Sequence, residues 1–122
     1  MNVRTPLSRL GFVAASTALA AGAWIAPAQA NPSAPWIGPG QANTYNGVRC
    51  FQELFNDLQN SIGYHPIAED GAFGPDTAGA IRAFQSWDGL RPDGIVGPQT
   101  GGDLLIATYG GGGCATHIPS RY

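Results

Sequence analysis

The sequence predicts an all-α fold: a compact three-helix domain with an internal turn–helix pseudo-repeat and one disulfide. Three observations carry that prediction. Apolar residues recur at spacings of three and four in successive stretches. An eight-residue turn pattern occurs twice, twenty-three residues apart. Two cysteines, Cys50 and Cys114, both fall after an export-type leader.

The leader occupies residues 1–30. Arg4 and Arg9 give a basic start, residues 10–26 are apolar, and Ala28-Gln29-Ala30 offers the small-x-small cleavage signal. An apolar run of about seventeen residues approaches the length of a membrane span. Its alanines, Ser16, Thr17 and the following Pro27 favour a cleaved signal instead. The two arginines are not adjacent, so a twin-arginine signal is not expected. Export and release of a chain beginning near Asn31 follow, with no membrane attachment after cleavage. About ninety residues remain, which suits one domain with a modest core.

Residues 31–46 are rich in Pro, Gly and Asn and read as an irregular lead-in, ordered only if Trp36 docks on the domain. The first helical stripe is Val48, Phe51, Leu54, Phe55, Leu58 and Ile62, with Asn46 as the expected N-cap and Gly63 as the stop. The second helix runs from Pro75 to about Trp87 on Ala78, Ile81, Phe84 and Trp87, and Gly89 closes it. The third begins at Pro98 and carries Leu104, Leu105 and Ala107; Gly101 and Gly102 weaken it by up to about 1 kcal/mol each. The domain therefore spans residues 47–108. Residues 109–122 form a glycine-rich tail whose Gly110–Gly113 run suits neither helix nor strand.

The repeat is Asp70-Gly71-Ala72-Phe73-Gly74-Pro75-Asp76-Thr77, echoed by Asp93-Gly94-Ile95-Val96-Gly97-Pro98-Gln99-Thr100. Asp-Gly makes a tight turn, the carboxylate accepting local N–H groups and Gly taking positive φ. Phe73 and Val96 plug the core. Pro75 and Pro98 open helices at the position where no N–H is missed. Gly74 and Gly97 precede those prolines at the helix starts, and Gly74 is taken to hold a turn geometry that needs glycine, so Gly74→Val is expected to destabilise strongly.

After residue 30 the chain carries four arginines, eight acids and no lysine. An acidic chain without a basic patch is a poor partner for nucleic acid or an anionic membrane. In an exported chain an even cysteine pair reads as a disulfide, with two buried free thiols as the alternative. Closing a loop of roughly sixty residues would contribute about 4 kcal/mol in the chain-entropy picture.

Residues 48–105 resemble the peptidoglycan-binding domain of the three-helix type found in many bacterial wall hydrolases. Phe51-Gln52-Glu53-Leu54-Phe55-Asn56 is similar to its opening. Residues 70–77, Ala80-Ile81 and Phe84-Gln85 are similar to its middle; Gly89-Leu90, residues 93–100 and Leu104 are similar to its close. The family often has a Trp after the final Thr, where this chain has Gly101. The run from Gly47 to Gln52 is similar to secreted members with a cysteine in the first helix, which supports pairing of Cys50 with Cys114. The resemblance implies a secreted, cell-wall-associated protein that binds peptidoglycan, by its glycan strands or its stem peptides, without catalysing a reaction and without a cofactor.

Two rivals stand beside that expectation: the same fold as a module or inhibitor recognising another secreted protein, and a minimal wall hydrolase. Calcium loops do not fit, because the positions that would ligate beside Asp70 and Asp93 hold Pro66, Ala68, Gly89 and Arg91. His65 and His117 lack the spaced partners of a zinc site. Hydrolysis needs two carboxyls across a cleft, yet Asp70 and Asp93 have turn roles and Glu53 lies on an outer helix face. A Cys114 nucleophile activated by His117 competes with pairing to Cys50. For binding, the candidates are Tyr64 and Trp87 as flat surfaces, Arg82 for a carboxylate, and Asp76, Gln85 and Asp93 for hydroxyl or amide groups. Each also has a plain structural reading, with Trp87 at the core rim, Arg82 solvated and Asp93 shaping its turn.

Overall fold

The computed structural model describes residues 31–121. The leader predicted for residues 1–30 lies outside them. The elements are α1 (Tyr45–Ile62), α2 (Pro75–Trp87), α3 (Pro98–Ala107) and a 3-10 helix (Gly112–His117). Among the described residues there is no strand, only two single-pair antiparallel bridges, Asn31 with Ser120 and Ile37 with Val96. The all-α expectation holds.

α1 is the hub, packing against α2, α3 and the 3-10 helix. Its stripe does what its spacing requires: Val48, Phe51 and Phe55 are fully buried and Leu54 is nearly so. Stacking of Phe51 on Phe55, centroids 5.7 Å apart, fills the centre. The N-cap is Thr44, not Asn46. The Thr44 hydroxyl accepts the Gly47 N–H at 3.2 Å, while Asn46 lies exposed two residues further on, already inside the helix. Gly63 ends the helix with φ 83°, as expected of a left-handed C-cap.

α2 and α3 each start with proline after an extended glycine cap, Gly74 and Gly97. α2 buries Ala80, Ile81 and Phe84 completely. Ala80 takes the core place assigned to Ala78, and Trp87 ends the stripe 45% exposed, its ring tilted against Phe84. Leu104 and Leu105 bury α3.

Gly101 has a reason to be glycine. A Cβ there would stand 1.8 Å from the Pro119 carbonyl and 2.9 Å from Ile118 Cγ2. The tail thus occupies the space that a Trp at or near this position would need, and Ile118 is fully buried. Cys114, in the 3-10 helix, is joined to Cys50 of α1 with Cα atoms 5.5 Å apart. The glycine run was expected to be irregular, yet its last two residues, Gly112 and Gly113, already belong to that 3-10 helix.

The lead-in is ordered, though Trp36 is not its main anchor. Ile37 is fully buried and exchanges two backbone hydrogen bonds with Val96, 3.3 and 2.7 Å. Trp36, 42% exposed, lays its ring across Gly97. Asn31 and Ser120 exchange a similar pair, closing the two ends of the described chain on each other.

Candidate functional site

The two turns are built alike, atom for atom. In the first, Asp70 Oδ1 accepts the Ala72 N–H at 3.0 Å, and Gly71 takes φ 73°. Gln52 of α1 clasps the turn. Its Oε1 accepts the Gly71 N–H at 2.8 Å, and its Nε2 donates to Asp70 Oδ1, the Ala72 carbonyl and Thr77 Oγ1 at 3.0–3.2 Å. In the second, Gln85 of α2 makes the same set to Gly94, Asp93, Ile95 and Thr100 at 2.9–3.1 Å. Both glutamines are 1% exposed. A buried amide is tolerated only when its donors and acceptor are spent, as they are here.

These bonds fix the charges. The Ala72 N–H, then the Gln52 amide, hold the Asp70 carboxyl below the usual carboxylate range. For Asp93 the Ile95 N–H leads and lowers the pKa against the opposing cost of burial, with Gln85 and the nearby Arg91 charge adding to the lowering. Both carboxylates stay ionised and committed to their turns.

The surroundings of the two turns differ. Beside the first lies an open groove of about 300 Å³, walled by Ile67 and Ala68 on one side and by Phe73, Gly74 and Asp76 on the other. At the second turn, the residues equivalent to Phe73 and Gly74 are covered by Ile37 and Trp36. A second cavity of about 410 Å³ lies beside the disulfide, lined by Arg49, Glu53, Asp57 and His117 among others. There Arg49 pairs with Glu53 at 3.1 Å and donates to the Glu69 carbonyl.

The expected site residues fall into separate places. Asp76 is exposed at the rim of the first groove. Tyr64 packs edge-on against Phe55 and sets its hydroxyl over Gly79 of α2, one turn from both Asp76 and Arg82. Arg82 is exposed, its guanidinium resting against Gly94. Trp87 stands apart at the end of α2, partly open to solvent. Gln85 is buried and fully used inside the protein, so it is not available to a ligand. Asp93 is exposed but serves its turn. Tyr64 lies over Gly79, midway along α2 between Asp76 and Arg82, whereas Gln85 and Asp93 belong to the scaffold.

Sequence reasoning missed Gln52 as the first clasp. The signal was present: Phe51-Gln52 and Phe84-Gln85 are the same dipeptide, each on the helix before its turn. It also missed Phe73 and Gly74 as groove walls, having assigned the first to the core and the second to backbone strain. Phe73 is only partly buried, and Gly74 is extended (φ −154°) with open space where a Cβ would point.

Residues 46–102 match the family described as "putative peptidoglycan binding domain". That segment is similar to a peptidoglycan-binding domain. It covers α1, α2, both turns, the groove and the first half of α3. The chain is also 52% identical over 44 residues to an uncharacterized protein in the bpoA1 3' region of Kitasatospora aureofaciens, covering 36% of this chain and 37% of that one. It is 43% identical over 53 residues to the zinc D-Ala-D-Ala carboxypeptidase of Streptomyces albus G, covering 39% of this chain and 21% of that enzyme. The chain therefore matches well under half the length of either relative. No solved structure matches it significantly.

Proposed function

We propose that this is a secreted, non-catalytic protein that binds peptidoglycan through the groove at its first turn. The observation that carries the reading is the match over residues 46–102, which contain both turns and that groove. Residues 1–30 act as the export signal, residues 31–46 strap the second turn, residues 47–108 form the binding domain, and residues 109–122 form the tail tied by the disulfide. The Cys50–Cys114 bond supports an oxidising compartment. No helix among the described residues is long and apolar enough to cross a membrane.

The non-catalytic reading rests on how the carboxylates are used. Asp70 and Asp93 are held ionised by their turns, which suits a scaffold and not a proton donor. Asp88 does hold its proton more tightly, at about 6, through burial and the facing Asp103, but it lines neither cavity. The carboxypeptidase relative is matched over only a fifth of its length, so its activity is not carried over.

Purified sacculi provide the test. The protein is expected to sediment with them and to release no soluble muropeptides. Protein left in the supernatant would overturn wall binding and favour a protein partner. Muropeptide release would overturn the non-catalytic reading.

A further inference from the structure

The two turns share their sequence pattern, their clasp and their hydrogen bonds, yet one is covered and one is bare. At the second turn, Val96 donates its N–H to the Ile37 carbonyl at 2.7 Å and accepts the Ile37 N–H at 3.3 Å. That exchange is one antiparallel bridge to an extended segment, and the next side chain, Trp36, lies flat on Gly97. At the first turn the equivalents are Phe73 and Gly74. Among the described residues the Phe73 N–H and C=O have no partner, and nothing lies within 4 Å of a Cβ built on Gly74. Both residues wall the 300 Å³ groove.

From this we infer that the first-turn groove takes an extended peptide, paired with the Phe73 backbone as Ile37 is paired with Val96. In the wall that peptide is a stem peptide and not the glycan strand. The inference rests on the wall-binding reading above and sharpens it. Unpaired backbone groups on a surface are a template for an added extended segment, with main-chain bonds giving affinity and neighbouring pockets giving selectivity. The second turn shows that this scaffold accepts such a segment in this register without distortion, since the clasp distances at the two turns agree within a few tenths of an ångström.

The chemistry on offer suits a peptide better than a sugar. A donor and an acceptor on one residue match the alternating N–H and C=O of an amide chain. A sugar ring needs a flat aromatic face. Of the two aromatic rings at this turn, Tyr45 packs on Gly71 outside the groove lining, while Phe73 is partly buried against the core and walls the groove. The choice of a peptide therefore rests on the unpaired backbone donor and acceptor of Phe73.

Amidase digestion of sacculi separates stem peptides from peptide-free glycan strands, and these two products are the probes. Calorimetry is expected to show binding of the stem peptides and at least tenfold weaker binding of the glycan strands. Adding stem peptide to 15N-labelled protein is expected to slow amide exchange at Phe73 while leaving Val96, already bonded, unchanged. Gly74→Leu, which places a side chain in the open groove, is expected to weaken stem-peptide binding at least tenfold. The exchange measurement on the unmodified protein decides the matter even if that variant folds poorly. Binding of glycan strands alone, binding of neither product, or stem-peptide binding with unchanged exchange at Phe73 would overturn the inference. Protein that still sediments with whole sacculi in those cases leaves the wall-binding reading standing. Loss of sedimentation overturns both.

Discussion

Replacing Gln85 by Ala removes the clasp of the second turn, and replacing Gln52 by Ala removes that of the first. Each glutamine accepts one backbone N–H and distributes its amide among a carboxylate, a carbonyl and a hydroxyl. At about 1 kcal/mol net for each of roughly three hydrogen bonds, either change costs about 3 kcal/mol. The Gly94 N–H is buried and would be left without its acceptor, which pushes the Gln85 figure toward the upper end. In a domain of this size 1 kcal/mol moves Tm by about 4–8 °C, so both variants should melt some 12–24 °C lower. Thermal unfolding followed by circular dichroism at neutral pH measures it. If the two glutamines are equivalent parts of one repeated device, their losses should agree within about 1 kcal/mol. A variant that melts within 2 °C of the parent, or a large loss confined to one glutamine, would refute that equivalence.

The other predictions concern the tail, the disulfide and one carboxyl pair. Gly101→Ala, whose Cβ would collide with the Pro119 carbonyl, should cost about 1–3 kcal/mol by overpacking, whereas Gly74→Ala, pointing into open space, should shift Tm by no more than a few degrees; urea unfolding compares them. Reduction of Cys50–Cys114, which closes a separation of 64 residues, should lower stability by about 4 kcal/mol in the chain-entropy picture, read as a drop in the denaturant midpoint. Burial and the facing Asp103 raise the Asp88 pKa from 3.8 to about 6. The folded state thus holds this proton more tightly than the unfolded chain, and the associated stability is present below about pH 4 and lost as pH rises through 6. Solvent screening reduces it to about 1 kcal/mol, so Tm should fall by several degrees from pH 5 to pH 7. Asp88→Asn should flatten that slope. The opposing contributions of Asp70 and Asp93, whose pKa values are lowered, are lost only below about pH 4.

The helices were legible because their causes are local. Val48, Phe51, Leu54 and Phe55 announce α1 by spacing alone, and proline at the first helical position announces α2 and α3. The Asp-Gly turns were legible for the same reason. What was not legible depends on distant partners. Gln52 lies 18 residues from Asp70, whereas Gln85 lies 8 from Asp93, so no fixed spacing flags the clasp. Trp87 sits on the stripe of Phe84, yet α2 outruns the core there and leaves it exposed. Thr44 outranks Asn46 as a cap because α1 begins earlier than its first buried residue. The contrast between the bare first turn and the covered second is invisible in the repeat itself. It arises from the path of residues 35–38, which pass over Val96 and Gly97 and not over Phe73 and Gly74. Gly74 shows the hazard of reading every repeated glycine as strained: positive φ belongs to Gly71 and Gly94, while Gly74 is extended.

The most direct measurement of wall binding at the first turn is a map of backbone chemical-shift changes as muramidase-solubilised sacculus fragments are added to 15N-labelled protein. Shifts gathered at Ala68, Phe73, Gly74 and Asp76 are the predicted result. Shifts gathered instead around Arg49, Glu53 and His117 beside the disulfide, or no shifts at saturating fragment, would contradict it.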